Sequence, residues 1–196
     1  MMKQHNWLRK GIVWSVILML LTACEADYTP KPRGYFRIDL PRQNYLPYEK
    51  ANHYLFEYSS KAIVEPKTGE GSQDDWYTIH YPDFKADIYL SYKRINSDLP
   101  VFLEDARTMA LKHLPKASSI ADSLILIPGS KVYGMVYYIN GKGVASPMQF
   151  YLTDSTNHFV RGALYFNFRP ENDSVAPVIQ HIKSDILHLV GSLRWK

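Results

Sequence analysis

The apolar positions of the chain fall into two periods. In 84-FKADIYLSYK-93, Phe84, Ala86, Ile88, Leu90 and Tyr92 alternate with Lys85, Asp87, Ser91 and Lys93, which predicts a strand with one buried and one wet face. Tyr54 to Tyr58 and 76-WYTIHY-81 read as further strands, the latter joined to 84–93 as a hairpin through Pro82-Asp83. The acidic, glycine-containing stretch 65-EPKTGEGSQDD-75 reads as a loop. The period then changes. Leu99, Phe102, Leu103, Ala106, Met109, Ala110 and Leu114 share one face of a helix, with Asp98 as its N-cap, Pro100 in its first turn, Glu104 and Asp105 complementing the dipole, and Pro115 ending it. Four strands follow at 123-SLILI-127, 131-KVYGMVYYI-139, 147-PMQFYLT-153 and 158-HFVRGALYFNF-168. Their separators, Pro128-Gly129, Asn140-Gly141-Lys142-Gly143 and Asp154 to Asn157, are turn chemistry too short for anything but antiparallel neighbours. A last helix over Ser174 to Leu193, capped by Asp173, carries Val175, Val178, Ile179, Ile182, Ile186, Leu189, Val190 and Leu193 on one stripe.

The order β-β-β-α-β-β-β-β-α predicts an α+β domain: a single antiparallel sheet of about six or seven strands with two main helices packed on it. This element order is similar to that of PsbP-like domains, an analogy of pattern that carries no function by itself. Fifteen Tyr in 196 residues support the strand-rich reading, since flat half-polar rings suit a pleated surface. A single cysteine excludes an intrachain disulfide and a thiolate zinc site.

That cysteine ends the first segment. Lys3, Arg9 and Lys10 precede an apolar run from Gly11 to Leu21, shorter than the roughly 20 residues of a membrane span. Residues 1–23 therefore read as an export signal. The ending 21-LTAC-24 resembles the bacterial lipobox, in which the cysteine thiol takes a diacylglycerol group; the alternative is a chance Cys24 behind an ordinary signal. Two or three acyl chains would hold the domain on a membrane permanently, because each buried CH₂ contributes about 0.8 kcal/mol. Removing the signal leaves twenty Lys and Arg against nineteen Asp and Glu, a charge near +1, so nucleic acid is not an expected partner. Residues 24–50, rich in Pro and Tyr, read as a lipidated Cys24 and an extended tether, with 35-YFRIDL-40 a short strand or a strap over the core. Glu25 and Asp27 beside the anchor resemble surface-sorting signals of Bacteroidota lipoproteins, or are a solvated linker. Residues 51–196 are the globular domain.

Catalytic constellations are sparse. Asp154, Ser155 and His158 have suitable types but sit in one hairpin turn, where a relay with a buried orienting acid does not form. Gly141-Lys142-Gly143 lacks the spacing of a phosphate loop, and Glu104 and Asp105 diverge by about 100° on their helix. His181, Asp185 and His188 lie at i, i+4 and i+7 on one flank of the last helix and are the candidates for a metal or pH-sensing patch, although ligands from elsewhere would be needed. His113 reads as a hydrogen-bonded core histidine. Tyr133, Tyr137, Tyr138, Tyr151 and Tyr165 read as core or sheet-edge residues, the alternative being a surface band for glycan stacking or a protein interface. No cofactor, catalytic residue or small-molecule substrate follows from any motif, and the chain reads as a non-enzyme.

Longer blocks carry a family resemblance. 30-PKPRGYFRIDLP-41 after Cys24, 84-FKADIYLSYK-93, 104-EDARTMALKH-113, 132-VYGMVYYINGKGVAS-146, 149-QFYLTDSTNHFVRGALYFNFRPENDSVAPV-178 and 192-SLRWK-196 together resemble the gliding-motility lipoprotein family GldD of Bacteroidota. The resemblance implies a cell-envelope lipoprotein required for gliding, associated with the gliding and type IX secretion machinery, anchored in the outer membrane, and acting as a structural or interaction component. Its partners would be the membrane, through Cys24, and other envelope proteins of that machinery. An envelope glycan- or peptidoglycan-binding module is the alternative.

Overall fold

The structure, a computed structural model, describes Trp14, residues 38–68, 74–168 and 173–196. The export signal, Cys24 and most of the expected tether lie outside the described residues. The chain divides into two compact units, Met1–Phe36 and Arg37–Lys196. In the first, Trp14 is helical and exposed.

The second unit contains β1 (Tyr45–Tyr48), β2 (Tyr54–Ser59), β3 (Ile63–Pro66), β4 (Tyr77–Tyr81), β5 (Ala86–Arg94), α1 (Leu99–Leu111), β6 (Ser119–Ile127), β7 (Val132–Asn140), β8 (Met148–Thr153), β9 (His158–Phe166), α2 (Ala176–Ser192) and β10 (Arg194–Trp195). Seven strands form one antiparallel sheet in the order β3-β4-β5-β9-β8-β7-β6, as expected of an α+β domain. A separate three-stranded sheet, β1-β2-β10, was not anticipated. Among the described residues no helix is long and apolar enough to cross a membrane.

Alternation assigns the faces. Ala86, Ile88, Leu90 and Tyr92 of β5 lie on the same side as Met148, Phe150 and Leu152 of β8 and Val160 and Leu164 of β9. There they meet Ile182, Ile186 and Leu189 of α2 and Tyr54 and Phe56 of β2, which makes the main core. The opposite face carries α1, which buries only Ala106 and Ala110 fully, in two smaller clusters around Phe159 and Ile139. Met109 and Leu114, expected on that apolar stripe, are exposed.

Two hairpins share one connection. β4–β5 and β6–β7 close through 3₁₀ turns at Pro82–Phe84 and Pro128–Ser130, each ending on a left-handed lysine, Lys85 (φ 48°) and Lys131 (φ 51°). Proline presets the first turn position. The β8–β9 turn is organised by Asp154, whose Oδ1 accepts the backbone N–H groups of Thr156, Asn157 and His158 at 2.8–2.9 Å.

Several expected boundaries move. Tyr45–Tyr48, placed in the tether at 24–50, pairs with β2. Ile63–Pro66 is a strand reaching into the expected loop. β6 starts at Ser119, ahead of residue 123, because it follows the full length of β7. Asp98 does flank α1 but makes no capping bond through its side chain, which accepts from Asn96 N–H at 2.8 Å instead; the first turn of α1 holds no acid. α2 starts after Val175, not after Asp173.

Candidate functional site

His181, Asp185 and His188 do not converge. The Asp185 side chain, 1% exposed, accepts hydrogen bonds from Gln43 Nε2 (3.2 Å), Tyr45 Oη (3.1 Å) and Tyr81 Oη (3.2 Å). His181 Nε2 stands 4.0 Å from Asp185 and its ring packs edge-on against Phe84. His188 turns away, 2.6 Å from Glu57 Oε2, and stacks on Tyr45 with ring centroids 3.5 Å apart. Among the described residues no group of three or more His, Cys, Asp or Glu is placed to hold a metal ion. Burial, reinforced by the Asp185 charge, pushes the Tyr45 hydroxyl up to about 12, so it remains a donor. This flank of α2 fastens the stretch containing Gln43 and Tyr45.

A second carboxylate centre has no signature in the sequence. Asp75, left-handed at φ 60°, accepts Asn52 N–H (2.8 Å) and Tyr77 Oη (3.1 Å) on Oδ1, and His53 N–H (2.9 Å) and His53 Nδ1 (2.6 Å) on Oδ2. Burial raises its pKa, but these bonds outweigh it and hold the carboxyl below the ordinary range. The His53 ring stacks on Tyr92, whose Oη lies 2.8 Å from His158 Nδ1. His158 in turn stacks on Trp195. Ser155 and Asp154 form no relay with this ring, since Asp154 is committed to its own turn, where its Oδ2 also accepts from Thr156 Oγ1 at 2.9 Å.

His113 follows α1, half-buried, with Nε2 2.9 Å from Gln149 Nε2. Gln149 Oε1 accepts from Arg161 Nη2 at 2.7 Å. The Gln149 amide must therefore donate to His113, which requires a neutral imidazole accepting on Nε2. Burial, with Arg161 and Lys116 nearby, lowers the His113 pKa in the same direction.

Arg161 opens onto a cleft of about 270 Å³ between α1 and the sheet. Ser91 and Arg161 are direct cross-strand partners, as are Lys93 and Phe159. Phe102 and Asp105 of α1 form the opposite wall; Trp76 and Tyr89 flank the floor. The cleft exists because Ser91 on the sheet and Ala106 on the helix are small where the two layers face each other. Trp76 is fixed by its Nε1 hydrogen bond to Tyr92 O (2.8 Å). Lys67 Nζ lies 5.1 Å from the Trp76 ring centroid, and Lys93 Nζ 4.6 Å from that of Phe102. Among the described residues neither lysine nor Arg161 has a carboxylate partner. The available signal was Arg161 itself, a charge inside the apolar run 158-HFVRGALYFNF-168.

Two larger hollows, each about 460 Å³, lie beside His80 and Asp87 and between Asn140 and Lys183. In the first, His80 already engages both acids, Nδ1 with Asp87 at 2.8 Å and Nε2 with Glu65 at 3.4 Å. Of the expected tyrosines, Tyr137 is buried; Tyr133, Tyr138, Tyr151 and Tyr165 are half-buried on the strands.

A comparison with curated proteins returned no match. Among solved structures, the solution structure of cyanobacterial PsbP (CyanoP) from Synechocystis sp. PCC 6803 is similar at 11% identity and a TM-score of 0.48, covering 82% of this chain and 98% of that one. A family model described as gliding motility lipoprotein GldD matches residues 25–195, and the chain belongs to that family.

Proposed function

We infer that the chain is a membrane-anchored cell-envelope lipoprotein whose body acts as a non-catalytic structural or interaction component of the gliding and type IX secretion machinery. The observation that carries this is the family match over residues 25–195, which takes up the chain directly behind the lipobox cysteine Cys24. An acylated Cys24 would hold the protein in the outer membrane. The carboxylates support a non-catalytic body. Asp75, Asp154 and Asp185 spend their acceptors on internal donors and stabilise loops and layers, which leaves them unavailable as bases.

Cys24→Ala in the native host tests the anchor. The variant is expected to leave the membrane fraction and to abolish spreading on a surface, with the fold intact. Continued membrane retention of the variant would refute anchoring through Cys24. Crosslinking in cells followed by purification from solubilised envelopes is expected to return other envelope proteins; recovery of the protein alone would count against the interaction role. The cleft walled by Trp76, Tyr89 and Phe102 supports a second reading, an envelope glycan- or peptidoglycan-binding module. Retention on purified cell-wall material tests it.

A further inference from the structure

Three cations, five aromatic rings and one acid share the cleft between α1 and the sheet. The charges set the ligand class. Lys67, Lys93 and Arg161 lack carboxylate partners among the described residues, and Arg161 is half-buried. A guanidinium has five N–H donors, and Gln149 takes one bond from Nη2 at 2.7 Å, while Tyr165 is a second neighbour. Donors are left over in a setting that favours an oxyanion, to which arginine presents a planar fork. The acid narrows the class. A site for a bare anion has no use for Asp105, whereas a ligand that also carries hydroxyl groups donates to Asp105 and exchanges hydrogen bonds with Ser91 Oγ. The rings narrow it again, because Trp76 is held rigid by its Nε1 bond to Tyr92 O and offers a flat surface for a ring to stack upon. Size completes the argument. A volume of about 270 Å³ is at the small end for ligand sites and suits a single ring rather than an acyl chain.

We propose that this cleft binds an acidic sugar, one pyranose ring stacked on Trp76 with its carboxylate held by Arg161 and Lys93 and its hydroxyls by Asp105 and Ser91. The proposal rests on the glycan-binding reading for the source of the sugar; recognition of the free sugar acid does not depend on the lipid anchor. Gln149 and His113 act as positioning residues, since the neutral His113 ring orients the Gln149 amide so that its carbonyl faces Arg161.

The test uses the full mature chain in detergent and ligand-observed NMR titration with glucuronic acid and N-acetylmuramic acid. Glucose, N-acetylglucosamine and inorganic phosphate are the comparison probes. The sugar acids are expected to bind saturably and about tenfold tighter than their neutral counterparts, with an affinity that falls as salt is raised. Arg161→Gln and Lys93→Gln should each weaken the acids by about tenfold while leaving the weak binding of glucose unchanged, and Trp76→Ala should weaken both. If Arg161→Gln fails to fold, Lys93→Gln and Trp76→Ala decide. Equal affinity for glucose and glucuronic acid overturns the proposal, as does phosphate displacing the sugar acid at equal concentration. Binding unchanged by both Lys93→Gln and Trp76→Ala overturns it too. Retention of the wild type on cell-wall material with no binding of either sugar acid would sink this proposal and spare the broader glycan reading; the reverse pair of results would do the opposite.

Discussion

Tyr45 of β1 donates its hydroxyl hydrogen to Asp185 of α2 across 3.1 Å, although the two are 140 residues apart in the chain. The bond ties the first strand of the compact unit to its last helix. Asp185 also receives Gln43 and Tyr81, so one buried carboxylate satisfies three donors. Asp185→Ala strands those donors and is expected to lower stability by about 3 kcal/mol, against about 1 kcal/mol for Tyr45→Phe. Urea midpoints measure both. Hydrogen exchange at residues 45–48 should accelerate in Asp185→Ala more than exchange in β8 or β9. A uniform acceleration across the sheet would show that Asp185 supports the whole core rather than β1.

Stability should fall with acid over two pH ranges. The His113 pKa is lowered by burial and then by Arg161 and Lys116; that of His158 is lowered by burial and by His53 and Arg94, against the opposing Asp154. Both rings are harder to protonate folded than unfolded. The unfolded chain therefore takes up protons first, and stability drops as pH falls below the ordinary histidine value of about 6.5. Asp75 and Asp154 have the opposite chemistry and the same sign of slope. Burial raises their pKa values but hydrogen bonds lower them further, so their contribution is present above the ordinary aspartate value of about 4 and lost as pH falls through the depressed folded value. The urea midpoint measured from pH 8 to pH 2.5 should show both declines. His113→Gln with His158→Gln should flatten the upper one, and Asp75→Asn the lower.

The glycines of the central strands separate two kinds of close approach. A Cβ on Gly162 would lie 2.1 Å from Phe150 Cζ, its cross-strand partner, whose ring fills the space over β9. A Cβ on Gly134 would lie 2.0 Å from the Tyr151 carbonyl oxygen, a backbone atom. Gly162→Ala is expected to cost about 3 kcal/mol and to be substantially relieved by Phe150→Leu, because the obstacle is a side chain. Gly134→Ala should cost at least about as much, with no rescue from any residue at position 151. Equal rescue at both sites would refute this distinction.

What the sequence made legible follows the range of the interactions involved. β5 was readable because its apolar and polar residues alternate, with Ala86, Ile88 and Leu90 meeting a buried layer and Lys93 a half-wet one, although Asp87 on the polar side is buried as well. The α2 stripe was readable for the same local reason. β1 and β3 were not. Pro47 and Pro66 argue against strands, and both sit on strands with a single neighbour, where a missing N–H is tolerated. The start of α2 misled because Asp173 has the chemistry of a cap, whereas the helix begins only at Ala176 and brings Pro177 into its first turn. The site was the least legible part. His181, Asp185 and His188 share a flank as their spacing predicts, but Glu57, Tyr45 and Tyr81 claim two of them, and no local pattern places those partners. The cleft draws Lys93, Phe102 and Arg161 from three elements and Trp76 from the residue before a fourth, so it exists only once the sheet order is known.

Lys183 of α2 is the buried cation whose removal should help. The residue is 8% exposed, its Nζ lies 5.6 Å from the Tyr138 ring centroid, and it has no ion pair among the described residues. Burial lowers its pKa, which means the charged form is less well solvated in the folded chain than in water. Its aliphatic stem packs usefully, while its ammonium contributes only the attraction to one ring. Lys183→Met keeps the stem volume and removes the charge, and is expected to raise the urea midpoint at pH 7 by the equivalent of about 1 kcal/mol. Lys183→Ala removes both and should lower it by about 1 kcal/mol, because the stem leaves a void. The gain from methionine should shrink as pH is raised towards the lowered folded pKa of Lys183, where the wild-type residue sheds its charge on its own. A methionine variant as unstable as the alanine one would mean that the attraction to Tyr138 outweighs desolvation at this position.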